Sequence, residues 1–226
     1  MQRHTWIIFA AGLVLLAVAL VAAGCGGGSD KARIRFVNAT PDESGLDLLI
    51  DSKSVDTSIA YGSASSYSNI STGSHHFQVE PSGSTNILID TTPSISSGDQ
   101  TFVTLNYSFN IGSTLLIDDN SAPTSGNFKL RILNASPGMG AQDVYITTGT
   151  DITSISPTIS SLGFGTASTY NSLAAGTYHV FFTDPGLKFI NLDSGALTFS
   201  AGQVRTVLSL NSPAGGYMST ELSDAN

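Results

Sequence analysis

The sequence contains little cysteine and little charge. Cys25 is the single cysteine among 226 residues, so no disulfide can form within the chain. Charged residues make up only 12% of the chain, and acidic residues outnumber basic ones to give a formal net charge of −8. Such a chain repels phosphate backbones, which excludes nucleic acid as an expected partner. No segment after the N-terminus has the apolar period of an amphipathic helix, which argues against a helical fold.

One long apolar run is present, and it lies at the N-terminus. Arg3 gives the chain a basic start, residues 6–23 are almost wholly apolar, and small residues then lead into Cys25. This arrangement is typical of a secretory signal. The small residues directly before a lone cysteine resemble the lipobox of a bacterial lipoprotein signal. The resemblance implies that residues 1–24 are removed as a signal peptide and that Cys25 carries the lipid.

The same run has two other interpretations. The apolar stretch 6–23 is just long enough to span a bilayer as an uncleaved anchor helix, and a simple secretory signal is the third reading. We predict lipid anchoring to the membrane through Cys25, with residues 25–31 as a Gly-rich tether. Position 26 is Gly and lacks the Asp that, by the same resemblance, marks inner-membrane lipoproteins. We therefore expect the cell envelope as location, at the outer membrane or cell surface.

The rest of the chain repeats one pattern. Residues 34–41 read IRFVNATP and residues 130–137 read LRILNASP, an offset of 96. Residues 61–67 read YGSASSY and residues 164–170 read FGTASTY, an offset of 103. Further matches follow in the same order, namely Asp47 with Asp143, His76 with His179, and Asp90 with Asp193. Blocks that recur in one order predict a tandem duplication.

We therefore predict module 1 over residues 32–119, a linker over 120–127 and module 2 over 128–226. The linker is polar and rich in turn-forming residues. The change of offset places seven additional residues in the Ser/Thr-rich stretch 147–161 of module 2. Loops are where a duplicated domain can acquire a separate role, so this stretch is one candidate for ligand binding.

Within each module the apolar residues recur with a period of two. Residues 33–37, RIRFV, alternate basic and apolar side chains, as in a strand with one buried and one solvated face. We therefore expect Arg35 and Arg131 to point into solvent. Short strands with Gly, Pro, Asn and Asp between them predict an all-β chain of two tandem antiparallel β-sandwiches of the immunoglobulin-like type. The predicted strands are 33–37, 46–51, 64–69, 75–80, 86–90, 100–107, 114–118, 128–134, 143–147, 167–172, 177–183, 188–193, 204–210 and 217–222.

The repeated blocks resemble the bacterial domain-of-unknown-function family 4397. The resemblance rests on the openings at 38–41 and 134–137, the 61–67 and 164–170 blocks, and the matched Gly-x-x-His strands. It covers nearly all of the chain from residue 32 and implies a secreted or lipid-anchored, β-rich protein without catalytic residues to transfer. The family more often has His where Asn38 and Asn134 stand, which argues against essential imidazole chemistry at those positions.

Few side chains suggest catalysis or metal binding. His76 and His179 match between the modules, but one histidine per module is too few for a zinc site. The acidic stretch 42–47 has the oxygen ligands that calcium prefers, yet its counterpart keeps only Asp143, as a solvated turn would. No Gly-x-Ser-x-Gly elbow is present. We predict no catalytic residue, no metal site and no cofactor.

The matched tyrosines Tyr67 and Tyr170 are the remaining candidates for ligand contact. A tyrosine on a sandwich face can stack on a sugar ring, or it can fill the edge of the core while its hydroxyl bonds a backbone group. The first prediction for function is a non-enzymatic, lipid-anchored envelope protein that displays or binds, with an envelope glycan or protein as partner. A glycan- or cell-wall-binding lipoprotein is the alternative, and a hydrolase with dispersed residues comes third.

Overall fold

The computed structural model describes residues 31–225. The predicted signal peptide, Cys25 and most of the tether therefore lie outside the described residues. Within 31–225 the fold is all-β, with nineteen strands and one short 3₁₀ turn at Ser108–Asn110, which confirms the predicted all-β class. Across residues 31–225 we find no helix with the length and apolar character needed to traverse a bilayer.

Residues 32–118 form two facing sheets and a small ribbon, together called the N-terminal sandwich. One sheet has the order β10-β9-β1-β4, the other β3-β2-β6-β7, and β5 pairs with β8. The strands are β1 (Ala32–Ala39), β2 (Gly45–Ile50), β3 (Lys53–Ala60), β4 (Ser68–Ile70), β5 (Gly73–Ser74), β6 (Phe77–Pro81), β7 (Ile89–Thr91), β8 (Ser94–Ile95), β9 (Gly98–Leu105) and β10 (Gly112–Asp118).

Residues 127–225 form a second pair of sheets, called the C-terminal sandwich. One sheet has the order β14-β11-β18-β19 and the other β13-β12-β15-β16, with β17 also paired to β15. The strands are β11 (Asn127–Asn134), β12 (Gln142–Thr147), β13 (Ile159–Leu162), β14 (Asn171–Ala174), β15 (Gly176–Thr183), β16 (Ile190–Asp193), β17 (Leu197–Phe199), β18 (Val204–Asn211) and β19 (Tyr217–Ala225). In both sandwiches the strand that carries the opening phrase, β1 or β11, is central in its sheet.

Each sandwich has its own apolar core between its two sheets. In the N-terminal sandwich Phe77 packs edge-on against Phe102 at 5.0 Å between ring centroids. In the C-terminal sandwich Phe128 and Phe199 stack at 4.4 Å. Burial of each large apolar side chain contributes about 1.5–3 kcal/mol, so apolar burial in each half stabilises its own pair of sheets.

The prediction of purely antiparallel sheets is wrong for one pair of strands in each sandwich. β1 runs parallel to β9, and β11 runs parallel to β18. Antiparallel strands can be joined by a tight turn, whereas parallel strands need a long crossover. Here the crossover is the whole second sheet, which the chain builds between the two partners.

The two sandwiches pack against each other through a third apolar cluster, which we call the junction. The N-terminal sandwich contributes Val37, Val103 and Leu105 to it. The C-terminal sandwich contributes Leu133, Leu208 and Leu210. Gly62 and Gly165, the glycines of the two repeated blocks, lie against this cluster. Both have positive φ, +74° and +73°, and an added Cβ would come within 3.3 Å of Leu210 and 3.2 Å of Leu105, respectively. Each glycine thus lets its block approach the opposite sandwich.

The junction buries the second face of β1. Ile34 and Phe36 point into the N-terminal core, while Val37 and Ala39 belong to the junction. The period of two is therefore confirmed, but the prediction of a solvated face is wrong for most of the strand. Only Arg33 remains exposed along β1.

Candidate functional site

Arg35 crosses the junction to the last strand of the other sandwich. Its Nη2 donates to Asp224 Oδ1 at 2.6 Å, and its Nη1 donates to the carbonyl of Ser223 at 2.9 Å. Arg35 is 2% exposed and Asp224 is 4% exposed. A buried guanidinium is tolerated only with such pairing. Strand β1 of one sandwich is therefore tied to strand β19 of the other.

Arg131 makes the same connection in the opposite direction. Its Nη2 donates to Asp118 Oδ1 at 2.6 Å, and its Nη1 donates to the carbonyl of Ile117 at 3.1 Å. Arg131 and Asp118 are also buried. Each opening strand thus sends an arginine to the closing strand of the other sandwich, so the two connections are related by an approximate twofold axis. The prediction that Arg35 and Arg131 face solvent is wrong, because a second sandwich covers that face.

The two tyrosines complete these networks. Tyr67 donates to Asp118 Oδ2 at 2.6 Å, and Tyr170 donates to Asp224 Oδ2 at 2.9 Å. The hydroxyls of Thr101 and Thr206 donate to the same two oxygens, both at 2.6 Å. Each aspartate therefore accepts from a tyrosine and a threonine of its own sandwich and from an arginine of the other.

The tyrosine rings are covered by cations of the protein itself. The Arg35 guanidinium lies 4.7 Å from the ring centroid of Tyr67, and Arg131 lies 4.7 Å from that of Tyr170. Both tyrosine hydroxyls bond carboxylates, whereas the sequence-based prediction for a tyrosine at the core edge was a bond to a backbone group. The rings thus stabilise the arginines by cation–π contact. Their predicted contact with a ligand stays a prediction.

Electrostatics in these networks favour neutral tyrosines beside charged arginines. Burial raises the pKa of Tyr67, against the lowering effect of Arg35, and the same balance of burial and Arg131 raises the pKa of Tyr170. Burial lowers the pKa of Arg35, but Tyr67 and Asp224 outweigh it and raise that pKa. Both oxygens of Asp118 and of Asp224 already accept hydrogen bonds. The networks therefore suit holding the two sandwiches together better than proton transfer.

Burial also raises the pKa of Tyr61, to about 12. A free tyrosine ionises near pH 10, and a folded-state pKa above that value stabilises the fold below pH 10. This contribution is lost as the pH rises from about 10 through the folded pKa of about 12. We expect native protein in that pH range to show less tyrosinate absorbance than urea-unfolded protein. Equal absorbance in both states would contradict burial of Tyr61, Tyr67 and Tyr170 at the junction.

Two clefts flank the junction at related positions. The first has a volume of about 390 Å³ and lies between the repeated block of the N-terminal sandwich and β19. The second, of about 500 Å³, lies between the matching block of the C-terminal sandwich and β10. Each cleft is lined by one of the two buried arginines, Arg35 in the first and Arg131 in the second. The lining residues include Arg35, Ser63, Ser65, Glu221 and Ser223 in the first cleft, and Ile117, Asp119, Arg131, Ser168 and Tyr170 in the second.

The asparagines of the opening phrases hold turns in place. Asn38 Nδ2 donates to the carbonyls of Glu43 and Ile59, both at 3.0 Å. Asn134 Nδ2 donates to the carbonyls of Gly140 and Leu162, at 2.8 and 3.1 Å. Both asparagines are fully buried. The repeated phrase therefore fixes two loops onto the end of its strand.

Replacing Asn134 with alanine should destabilise the protein by about 2–4 kcal/mol. The buried carbonyl of Leu162 and the part-buried carbonyl of Gly140 lose their donor, and an unsatisfied buried group costs about 1–3 kcal/mol. Urea-induced unfolding of the variant and the wild type measures the difference. The matched control is Asn69→Ala on β4, where the side chain is exposed and a change within about 0.5 kcal/mol is expected. Equal losses in both variants would contradict the role given to Asn134.

The three histidines of residues 31–225 each pair with an aspartate. His76 Nε2 lies 2.7 Å from Asp90, and His179 Nδ1 lies 2.9 Å from Asp193. These pairs join matched residues of adjacent strands. Hydrogen bonding from His76 lowers the pKa of Asp90. Within residues 31–225 no cluster of three or more His, Cys, Asp or Glu is arranged to hold a metal ion.

His75 forms a serine–histidine–aspartate arrangement that the sequence did not reveal. Its Nδ1 lies 2.7 Å from Asp51, and its Nε2 lies 3.1 Å from Ser71 Oγ. However, Nε2 is also 2.9 Å from the Ser71 carbonyl oxygen, which can only accept a hydrogen bond. An Nε2–H that donates to this carbonyl has no lone pair with which to accept the proton of the serine, so the contact geometry differs from that of a catalytic triad.

The acidic stretch considered for calcium is bonded within the protein. Asp42 accepts from the backbone N–H and hydroxyl of Ser108, and Asp47 accepts from Ser58 N–H and from the Ser82 hydroxyl. The two carboxylates hold different loops. Asp42 fixes the 3₁₀ turn after β9, whereas Asp47 bonds Ser58 within β3 and Ser82 in the β6–β7 connection.

An aromatic pair that no sequence pattern indicated lies at that 3₁₀ turn, with Tyr107 half-buried directly before the turn and Phe109 exposed on it. Phe109 is 84% exposed. Its ring lies parallel to that of Tyr107, with 5.8 Å between centroids and 12° between planes. The Tyr107 hydroxyl accepts from Asn211 Nδ2 of the C-terminal sandwich at 2.8 Å. Only a period or a repeat would have identified these residues from sequence, and Phe109 belongs to neither.

These features define an all-β protein in which two sandwiches are fastened by reciprocal arginine–aspartate pairs. The chain belongs to the family described as Domain of unknown function (DUF4397), whose model matches residues 32–145. The match covers the N-terminal sandwich and strands β11 and β12 of the C-terminal one. The predicted family is thereby confirmed for these residues.

Comparison with other proteins adds little on function. No curated protein matches the chain. Among solved structures, CBMbc (family CBM26) from Eubacterium rectale Amy13K in complex with maltoheptaose is similar at 10% identity and a TM-score of 0.27, over 87% of this chain and 98% of that one. An α-glucan-binding streptococcal virulence factor is similar at 9% identity and a TM-score of 0.25, over 78% and 92%. Such TM-scores do not establish a shared fold.

Proposed function

We propose that this chain is a non-enzymatic binding and display protein in which two copies of the family domain, residues 32–119 and 128–226, act as one rigid body. The observation that carries the proposal is the use of the recurring polar residues. Arg35 and Arg131 bond Asp224 and Asp118 across the junction, and the recurring tyrosines bond the same carboxylates. The recurring arginines and tyrosines therefore serve assembly.

A rigid body of this kind suits display. The two sandwiches cannot turn against each other without breaking two buried ion pairs and the apolar cluster between them. Loops and clefts on the two halves are thus held at fixed distances, which lowers the entropy cost of binding an extended partner.

The proposal includes a lipid anchor at Cys25 in the cell envelope, with the outer membrane as the favoured location. Cys25→Ala should abolish incorporation of labelled fatty acid and move the protein from the membrane fraction to the soluble fraction. Ser29→Ala, in the same tether, is the control and should change neither. If the Cys25 variant still fractionates with membranes after processing, the anchor proposal fails.

The binding role is tested with purified residues 31–226, which contain both sandwiches. The fragment is immobilised and exposed to solubilised envelope fractions and to a glycan array. A ligand that is retained reproducibly and released unchanged supports a binding protein. Release of a cleaved product would instead support the hydrolase alternative.

Glycan binding is the second candidate function, and the aromatic pair Tyr107 and Phe109 favours it. Sugar rings stack on aromatic rings that are exposed and fixed in orientation. The Phe109 ring is exposed and stacks on the ring of Tyr107. Tyr67 and Tyr170 favour it less, because arginines of the same chain lie over their rings.

A further inference from the structure

Phe109 is presented to solvent by a turn that has little freedom to move. The ring is 84% exposed, although burying it would be favourable by about 1.5–3 kcal/mol. Its only aromatic neighbour among the described residues is Tyr107, which lies parallel to it. The exposed ring contributes nothing to the core, and what distinguishes it as a candidate for binding is the second aromatic ring stacked on it.

Three contacts fix the turn from different directions. Asp42 accepts from the Ser108 backbone N–H at 2.8 Å and from its hydroxyl at 2.6 Å. Asn106 Nδ2 donates to the Asn110 carbonyl at 3.0 Å. The Tyr107 hydroxyl is held by Asn211 of the other sandwich at 2.8 Å. The aromatic pair is therefore preorganised, which reduces the entropy lost on binding.

The pair occurs in one sandwich only. The matching position after β18 reads Ser212-Pro213-Ala214-Gly215 and has no aromatic residue. Residues that maintain the fold recur in both halves, as the junction arginines, tyrosines and aspartates do. Phe109 does not recur, so the fold itself does not require it.

We propose that Phe109, supported by Tyr107, is the stacking surface of a binding site for a neutral hexopyranose unit of a glycan. The inference rests on the proposed binding function and assigns it a site. One face of a pyranose ring carries C–H groups that pack on an aromatic face, and its rim carries hydroxyls. Asp42, which bonds Ser108, and Asn110, which follows Phe109 in the chain, are both exposed and provide a carboxylate and an amide for those hydroxyls.

Charge selects among glycans. Asp42 borders the aromatic pair, and the protein has a net charge of −8. A uronic acid or sulfated sugar would be repelled from this surface, whereas a neutral sugar would not. The Asp42 oxygens already accept from Ser108, and their remaining lone pairs are free to accept from sugar hydroxyls.

The test measures retention of the purified full-length protein on immobilised neutral polysaccharides: α-glucan, cellulose, mannan and chitin. We expect retention on at least one of them and none on polygalacturonate. Phe109→Ala should weaken that retention at least about tenfold, as for a central aromatic contact. Phe189→Ala is the matched control, because Phe189 is 77% exposed but lies in the other sandwich, and it should bind as wild type.

A spectroscopic variant gives a second measurement. Trp6 is the single tryptophan and lies in the predicted signal peptide, so Phe109→Trp in the processed protein leaves one reporter at the site. The retained polysaccharide should shift its emission, whereas the same reporter at position 189 should not respond. Absence of retention on all four polymers, or equal retention by the Phe109→Ala variant, overturns the inference.

Two results separate this site from the broader proposal. A partner from the envelope fractions that Phe109→Ala still captures would leave the binding function standing and remove the sugar site. Retention on phosphatidylcholine vesicles that is lost in Phe109→Ala, without polysaccharide binding, would identify Phe109 as a membrane contact and also overturn the sugar site.

Discussion

Asp118→Ala is expected to destabilise the protein by about 3–5 kcal/mol, because removing one partner of a buried ion pair leaves the other charge unpaired. The variant would leave the Arg131 guanidinium without the oxygen that lies 2.6 Å from it. Tyr67 and Thr101 would lose their acceptor at the same time. The nearest remaining carboxylate, Asp224, is 3.9 Å from Arg131 and already accepts three hydrogen bonds. Chemical denaturation measures the loss.

The neighbouring residue provides the control. Asp119 pairs with Lys129 at 2.6 Å, but the carboxylate is 58% exposed. This pairing lowers the pKa of Asp119 to about 2. The Lys129 ammonium, although buried, also donates to the Asp119 carbonyl and to Ser121 Oγ, and Asp119→Ala retains both partners. Asp119→Ala should therefore have a small effect. If the two variants lose the same stability, the buried network does not fasten the sandwiches.

Leu208→Asp is expected to separate the sandwiches while each retains its own core. Leu208 is fully buried in the apolar cluster of the junction and does not belong to the core of the C-terminal sandwich. Loss of a buried leucine costs about 2–5 kcal/mol, and burial of a carboxylate without a partner adds to that cost. Since both costs fall on the junction, we expect a single unfolding transition in the wild type to become two in the variant.

Ile117→Asp is the control for this result. Ile117 lies on β10, and its side chain is 70% exposed. A charge there stays in water, so the change in stability should be within about 0.5 kcal/mol. Differential scanning calorimetry measures both variants. A single transition in Leu208→Asp, shifted as a whole, would show that the sandwiches unfold together regardless of the junction.

The sequence predicted most of the central strands, because their apolar residues alternate. The segments 128–134 and 177–183 match β11 and β15 closely. The strand β3, Lys53–Ala60, was missed since it is mostly exposed and pairs irregularly with β2. An exposed edge strand has no buried face to impose a period. The same reasoning explains why β13 was missed.

Pairing direction could not be read from the same pattern. A period of two gives the face of a residue but not the direction of its neighbour. β1 and β9 are parallel, yet both have the apolar content of central strands. The longer predicted loop at 147–161 has a structural role that was also beyond the sequence. Ile152 within it packs on Tyr145 and Phe181, and covers the outer face of its sheet.

The sequence identified four recurring residues of the junction networks, but it did not show how they are arranged. Arg35, Tyr67, Arg131 and Tyr170 were all recognised as matched residues. Their alternation with apolar neighbours predicted a solvated face, because sequence gives no sign of a second domain covering that face. The aspartates that complete the networks were missed for a related reason. Asp118 resembles a linker residue in sequence, and only the partner sandwich gives it a buried role.

The reciprocal connection also constrains the order of folding. Arg35 and Asp224 are separated by 189 positions in the chain. During synthesis, the first strand therefore has no partner for its charge until the last strand has been made. Contacts between residues so distant in sequence form slowly, and the usual folding of an N-terminal domain first cannot reach completion here. Each sandwich can form its own core first, but the connection between the two closes only after β19 has been made.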